Sequence, residues 1–131
     1  VYQKILVPVD GSEHSKRALH EAINLAKMTN GTITLLNVLT SQSAVTSSTG
    51  RSNENKALNE SQKLVQEAGI AVNTVLLQGN VVDQIVKTAK EAGSDLIIVG
   101  ARGLSKFEEL LLGSVSHGVL EKAPCPVIVT R

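Results

Sequence analysis

Five short apolar runs are spaced along the chain: Tyr2–Val9, Thr32–Leu39, Ile70–Gln78, Asp95–Val99 and Pro126–Thr130. Between them lie stretches in which apolar residues recur every three or four positions, the period of a helix with one buried face. A strict β-α-β-α-β-α-β-α-β alternation leaves few architectures open. It predicts an α/β fold: an open five-stranded parallel sheet with helices on both faces, joined by right-handed crossovers. The winding that fits five such strands has the order 3-2-1-4-5. Aromatic residues are only 2% of the chain, so the core has to be built from Val, Ile, Leu and Ala. Near-continuous aliphatic runs of that kind suit strands buried on both faces. The 131 residues fit one domain, 1–131, large enough to fold without a disulfide or a metal.

The helix boundaries are marked locally. Ser12 is placed to cap a first helix, whose buried face would carry Ala18, Leu19, Ala22, Ile23 and Ala26, with Gly31 as its C-terminal stop. Thr40–Asn55 is rich in Ser, Thr and Asn, contains Gly50 and has no apolar period, so it reads as a long mobile loop and a candidate lid. A second helix follows with Leu58, Leu64, Val65 and Ala68 on one face and Gly69 at its end. Asn80 caps a third, with Val82, Ile85, Val86 and Ala89 inward and Gly93 closing it. Ser105 and Glu108 have the spacing of a capping box. Gly113 breaks that segment, and Ser114 is expected to cap a last helix ending near Lys122.

Several function classes are disfavoured. The net charge is +1 and stacking aromatics are scarce, so a nucleic-acid partner is not expected. No apolar run approaches the roughly 20 residues that span a bilayer, and no signal peptide is visible, which suggests no membrane association and a cytoplasmic location. Cys125, between two prolines, has no cysteine partner and reads as a small buried hydrophobe. His14, His20 and His117 have no metal-ligand spacing; His14 and His20 read as surface residues, and His117 as a surface residue close enough to the last helix's start to approach a phosphate. Glu108 and Glu109 read as a solvated helix face. The P-loop, the dinucleotide G-x-G-x-x-G after the first strand and the G-x-S-x-G elbow are all missing.

In an open α/β sheet, ligands bind outside the carboxyl ends of the strands where the winding reverses, here between the first and fourth strands. The two most unusual loops fall at those ends. Pro8-Val9-Asp10-Gly11-Ser12 follows strand one; Gly100-Ala101-Arg102-Gly103, nine residues and Gly113-Ser114 follow strand four. Glycines let a backbone approach a ligand closely, successive N–H groups can form an anion nest, and a helix N-terminus adds free donors and positive partial charge. Together these describe a phosphate cradle. The Asp10 carboxylate could accept from ribose hydroxyls or an adenine amino group, or simply cap the helix. The backbone near Val38, at the end of strand two, flanks the same crevice. Arg102 and Lys106 could neutralise phosphate or face water.

At these residues the chain resembles the universal stress protein family. Its nucleotide motif, G-x-x-G, nine residues, G-[ST], stands complete as Gly100, Gly103 and Gly113-Ser114, and the opening KILVPVDGSEHSKRAL and closing GLSKFEELLLGSVSHGVLEKAPCPVIVTR are typical. The resemblance implies a Rossmann-like fold of the adenine-nucleotide hydrolase type, binding ATP, with Mg²⁺ or Mn²⁺ as a potential companion. It implies that Pro8, Val9 and Asp10 lie at the nucleotide and ribose. The Val38 backbone would meet adenine. Gly100, Ala101, Arg102 and Gly103, with Gly113, Ser114, Val115 and Ser116, would surround ribose and phosphates. It also implies a homodimer through the last strand, Val127–Val129, an apolar edge that otherwise invites uncontrolled pairing. The expected function is a nucleotide-dependent stress-response regulator with no evident catalytic residue. The rivals are a slow ATP hydrolase, an AMP or cyclic AMP binder using the same pocket, and a dimerising scaffold.

Overall fold

The computed structural model describes residues 1–39, 47–101 and 113–131, of which 47–55 are described by their backbone. The elements are β1 (Lys4–Pro8), α1 (Glu13–Thr29), β2 (Thr32–Leu39), α2 (Ser47–Glu67), β3 (Val72–Gln78), α3 (Val81–Ala92), β4 (Leu96–Gly100), α4 (Ser114–Lys122) and β5 (Val127–Thr130). The strands form one parallel sheet in the order β3-β2-β1-β4-β5. Side chains alternate between its faces, so the aliphatic strand residues divide into two cores. Ile5, Val7, Ile33, Leu35, Leu96 and Ile98 pack with Ala18, Leu19, Ala22 and Ala26 of α1 and Leu58 and Val65 of α2. Leu6, Leu36, Ile97 and Val99 pack on the opposite face with Ile85 and Ala89 of α3 and Val119 of α4. This is the doubly wound architecture that the alternation predicts.

Ser12 and Asn80 cap α1 and α3 as expected, their side chains accepting from the Ser15 and Asp83 N–H groups, and Gly93 ends α3 at φ +64°. Four expectations need correction. Residues 47–55 belong to α2 and are not loop, while 40–46 lie outside the described residues. The Ser and Asn there cost only a few tenths of a kcal/mol each in helix propensity and Gly50 about 1, and a helix whose buried half is packed extends cooperatively. Gly31 is not the left-handed terminator of α1; that residue is Asn30, at φ +58°. Gly31 is instead a close-approach glycine, since a Cβ there would stand 3.1 Å from Gln3 Cα and Tyr2 O. Leu64 is 53% exposed, because the buried stripe of α2 runs through Leu58 and Val65. Ser114 is the first residue of α4 and Gly113 its cap, so α4 starts without any side-chain cap.

Candidate functional site

The crevice is opened by where the ladders stop. β1 and β4 pair only at Ile5↔Leu96 and Leu6↔Ile97, then separate. On the outer sides the pairing runs on, to Gly100↔Thr130 between β4 and β5 and to Leu39↔Gln78 between β2 and β3. The β1–β2 ladder ends at Pro8↔Leu36, so β2 projects beyond β1. Leu36 O accepts from Val9 N–H on the β1 side, and Leu39 O accepts from Gly79 N–H on the β3 side. Backbone groups of a strand alternate sides with a period of two. The Val38 N–H and C=O therefore face the β1 side, past the last residue of that strand. A planar heterocycle with a donor beside an acceptor can pair with such an edge.

The β1 loop is held by its own side chains. Asp10 is exposed; its Oδ1 accepts from the Ser12 N–H at 2.9 Å, and its N–H donates to Ser15 Oγ at 3.2 Å. One carboxylate oxygen orders the turn and the other has no hydrogen bond among the described residues. Gly11, at φ +86°, makes that turn. Pro8 is half-buried at the rim. Val9 is buried in the α1/α2 core, and both its backbone groups are engaged, the carbonyl by Asn37 Nδ2 at 2.8 Å.

The far side is formed by the residues at the two ends of the motif, Ala101 and Gly113, which are tied together. Ala101 N–H donates to Thr130 O at 2.6 Å, and Gly113 N–H donates to Ala101 O at 2.6 Å. The Ser116 hydroxyl, on a residue 1% exposed, lies 2.8 Å from Ala101 O and 3.0 Å from Gly113 O. Gly113 thus lies beside the end of β4, and α4 begins there. The first turn of a helix has N–H groups with no intrahelical acceptor. In α4 these belong to Ser114, Val115 and Ser116, and among the described residues no side chain caps them and no acidic residue stands in the first turn to compete for an anion. Arg102 and Gly103 lie outside the described residues, as do Ser105, Lys106, Glu108 and Glu109.

Two polar residues carry signals that periodicity does not show. Asn37 is 2% exposed and its Oδ1 is buried without a partner. The signal was an amide inside an otherwise apolar strand. His14, expected at the surface, is half-buried with Nδ1 shut away and unpartnered. It lies on the side of α1 that meets β4, because Gly100 leaves room for it. His20 is exposed, and His117 is 65% exposed with Nε2 2.9 Å from Glu121 Oε1, so it is engaged along its own helix. Cys125 is half-buried; burial first, and the negative charge of Asp95 second, push its thiol pKa up, away from reactivity. Among the described residues no group of three or more His, Cys, Asp or Glu could hold a metal ion, and no helix is long and apolar enough to cross a membrane. An open groove of about 450 Å³ lies between α1 and β5, lined by Arg17, His20, Glu21, Ile128, Thr130 and Arg131.

Known proteins share both the sequence and the geometry. The chain is 34% identical to the universal stress protein YxiE of Bacillus subtilis, with both chains covered in full. Its structure superposes on universal stress protein UspA from Lactobacillus plantarum with a TM-score of 0.86 at 30% identity, over 99% of this chain and 98% of that one. A universal stress protein solved in complex with cAMP matches with a TM-score of 0.77 at 27% identity, over 99% and 97%. The model of the universal stress protein family matches residues 1–131. With that match over every residue, on a sheet wound as the sequence predicts, the chain belongs to the universal stress protein family.

Proposed function

We propose that this chain is an ATP-binding regulatory protein that reports nucleotide occupancy in the cytoplasm. The observation that carries the reading is the uncapped start of α4, tied back to the end of β4 through Ala101, facing the point where β1 and β4 part. Helix N-termini of this kind favour phosphate. In this reading the Val38 backbone pairs with the adenine edge, Pro8 lies against the ring, and the free oxygen of Asp10 accepts from the ribose. Ser114, Val115 and Ser116 hold phosphate through backbone N–H groups beside Gly113, whose own N–H is taken by Ala101 O; Gly100 and Ala101 border the remainder, and the motif assigns Arg102 and Gly103 to it. The described residues do not fit a resident metal; a Mg²⁺ or Mn²⁺ ion would arrive bound to the triphosphate.

A second reading, a monophosphate binder, is favoured by the relative solved with cAMP. The two differ in magnitude. A hydrogen bond to a charged group contributes roughly 1.5–3 kcal/mol, so two bonds made only to the β- and γ-phosphates favour ATP by about a hundredfold or more. Titrating the protein with ATP, AMP and cyclic AMP at matched ionic strength checks this. Equal affinities would replace ATP by the monophosphates, and ATP turnover well above background that is lost in Asp10→Ala would make the protein an enzyme.

The same reading includes a homodimer through β5. Pro126 O and Thr130 O both point to β4, accepting from Ile97 and Ala101 N–H. By the same two-residue alternation, Val127 and Val129 turn their N–H and C=O groups to the open edge. An antiparallel copy of this strand would satisfy them.

A further inference from the structure

Gly100, the first glycine of the motif, has no backbone reason to be glycine, since it is not among the residues with positive φ. Its reason is space. A Cβ built on it would stand 2.6 Å from the carbonyl carbon of His14 and 2.7 Å from both the Cβ and the carbonyl oxygen of that residue. Two of those three atoms are main chain, in the first turn of α1, and no side-chain rotation removes them. The room that this glycine leaves is therefore filled by protein.

That first turn is the one joined to the Asp10 loop. Ser12 caps it, Ser15 Oγ accepts from the Asp10 N–H, and Asp10 Oδ1 accepts from the Ser12 N–H. Gly100 is joined on its other side to Ala101, whose backbone holds Gly113 and Thr130. Gly100 and His14 are thus where the two walls of the crevice touch. We propose that Gly100 is a positioning residue: its missing side chain seats the first turn of α1 against the end of β4, and this contact sets the Asp10 loop against Ala101 and the start of α4. The contact itself is independent of any ligand; its consequence for affinity rests on the nucleotide reading above.

The test begins on the unaltered, nucleotide-free protein. Cross-relaxation between the Gly100 Hα and His14 protons is expected by NMR, and its absence would overturn the proposal. Gly100→Ala, still without nucleotide, is expected to lower Tm and to raise amide exchange at least tenfold at Asp10, Ser12 and Ser15–Arg17. The ladder amides of β2 and β3 should speed up by a smaller factor, whereas a uniform loss of stability would raise both sets alike. ATP affinity should fall at least tenfold. Adding His14→Gly removes one of the three close contacts, so the double variant should lose less than the two single losses combined. Unchanged exchange and Tm in nucleotide-free Gly100→Ala, with affinity reduced, would show that the glycine makes room for the ligand directly. That result would contradict the positioning role while leaving nucleotide binding intact.

Discussion

The buried hydroxyl of Ser116 shows how much of the motif loop depends on single groups. It reaches Ala101 O from the first turn of α4. Ser116→Ala should cost about 1 kcal/mol, since Ala101 O keeps the Gly113 N–H but loses its second donor. Chemical denaturation checks this, and an unchanged midpoint would remove the hydroxyl from the account. Asp95 plays a comparable part at the opposite end of the sheet. Its carboxylate accepts from Lys4 N–H at 2.9 Å and Gln3 N–H at 3.0 Å, joining β1 to β4. Desolvation acts to raise its pKa, but the donors from Lys4, Gln3 and its own backbone outweigh it, and the net shift is downward. A lowered carboxylate stabilises the fold above the unfolded pKa of about 3.9, and the contribution is lost as pH falls through the folded value. Stability should therefore decline below about pH 4 by an increment that Asp95→Asn lacks. Identical acid limbs in the two proteins would contradict this.

Helices α3 and α4 meet at a glycine whose role is packing. A Cβ on Gly118 would stand 2.8 Å from Val82 Cγ2 and 3.1 Å from its Cγ1. Ala in a helix interior gains roughly 0.5–1 kcal/mol over Gly, while overpacking costs roughly 1–3. Val82 is β-branched and stiff, so the clash should win and Gly118→Ala should be destabilised by about 1 kcal/mol. A raised Tm would show that the two helices can slide apart without cost. The sequence is informative at this scale where one local signal and the packing agree. The apolar runs give all five strands, and Ser12, Asn80 and Gly93 mark helix ends because each satisfies an orphan backbone group or a left-handed turn. It misleads where packing overrides propensity. Residues 47–55 look like loop because Ser and Asn favour turns, yet they extend a helix held by Leu58 and Val65. Leu64 looks buried by spacing, but the helix turns it outward. The strand order, and with it the place where β1 and β4 part, was legible from the alternation and the winding rule. The Gly100–His14 contact was not, since a glycine demanded by space and one demanded by a ligand are written with the same letter.

At the scale of the molecule, one edge strand and one crevice carry the expected behaviour. Val129→Pro removes an outward-facing N–H and no bond to β4, so it should yield a monomer whose Tm, measured at low concentration, is close to that of the parent. Sedimentation reads the mass directly, and a parent chain that is itself monomeric would contradict the edge pairing. The most direct test of the central claim is calorimetric titration with ATP and Mg²⁺ of the intact protein beside Gly113→Val. Gly113 has φ −64° and ψ 159°, which valine adopts without strain, so the variant should fold while its side chain crowds the free N–H groups of α4. Saturable binding by the intact chain, weakened at least a hundredfold in the variant, is the predicted result. Equal binding by both proteins, or none by the intact chain with ATP, AMP or cyclic AMP, would contradict the phosphate site at the start of α4.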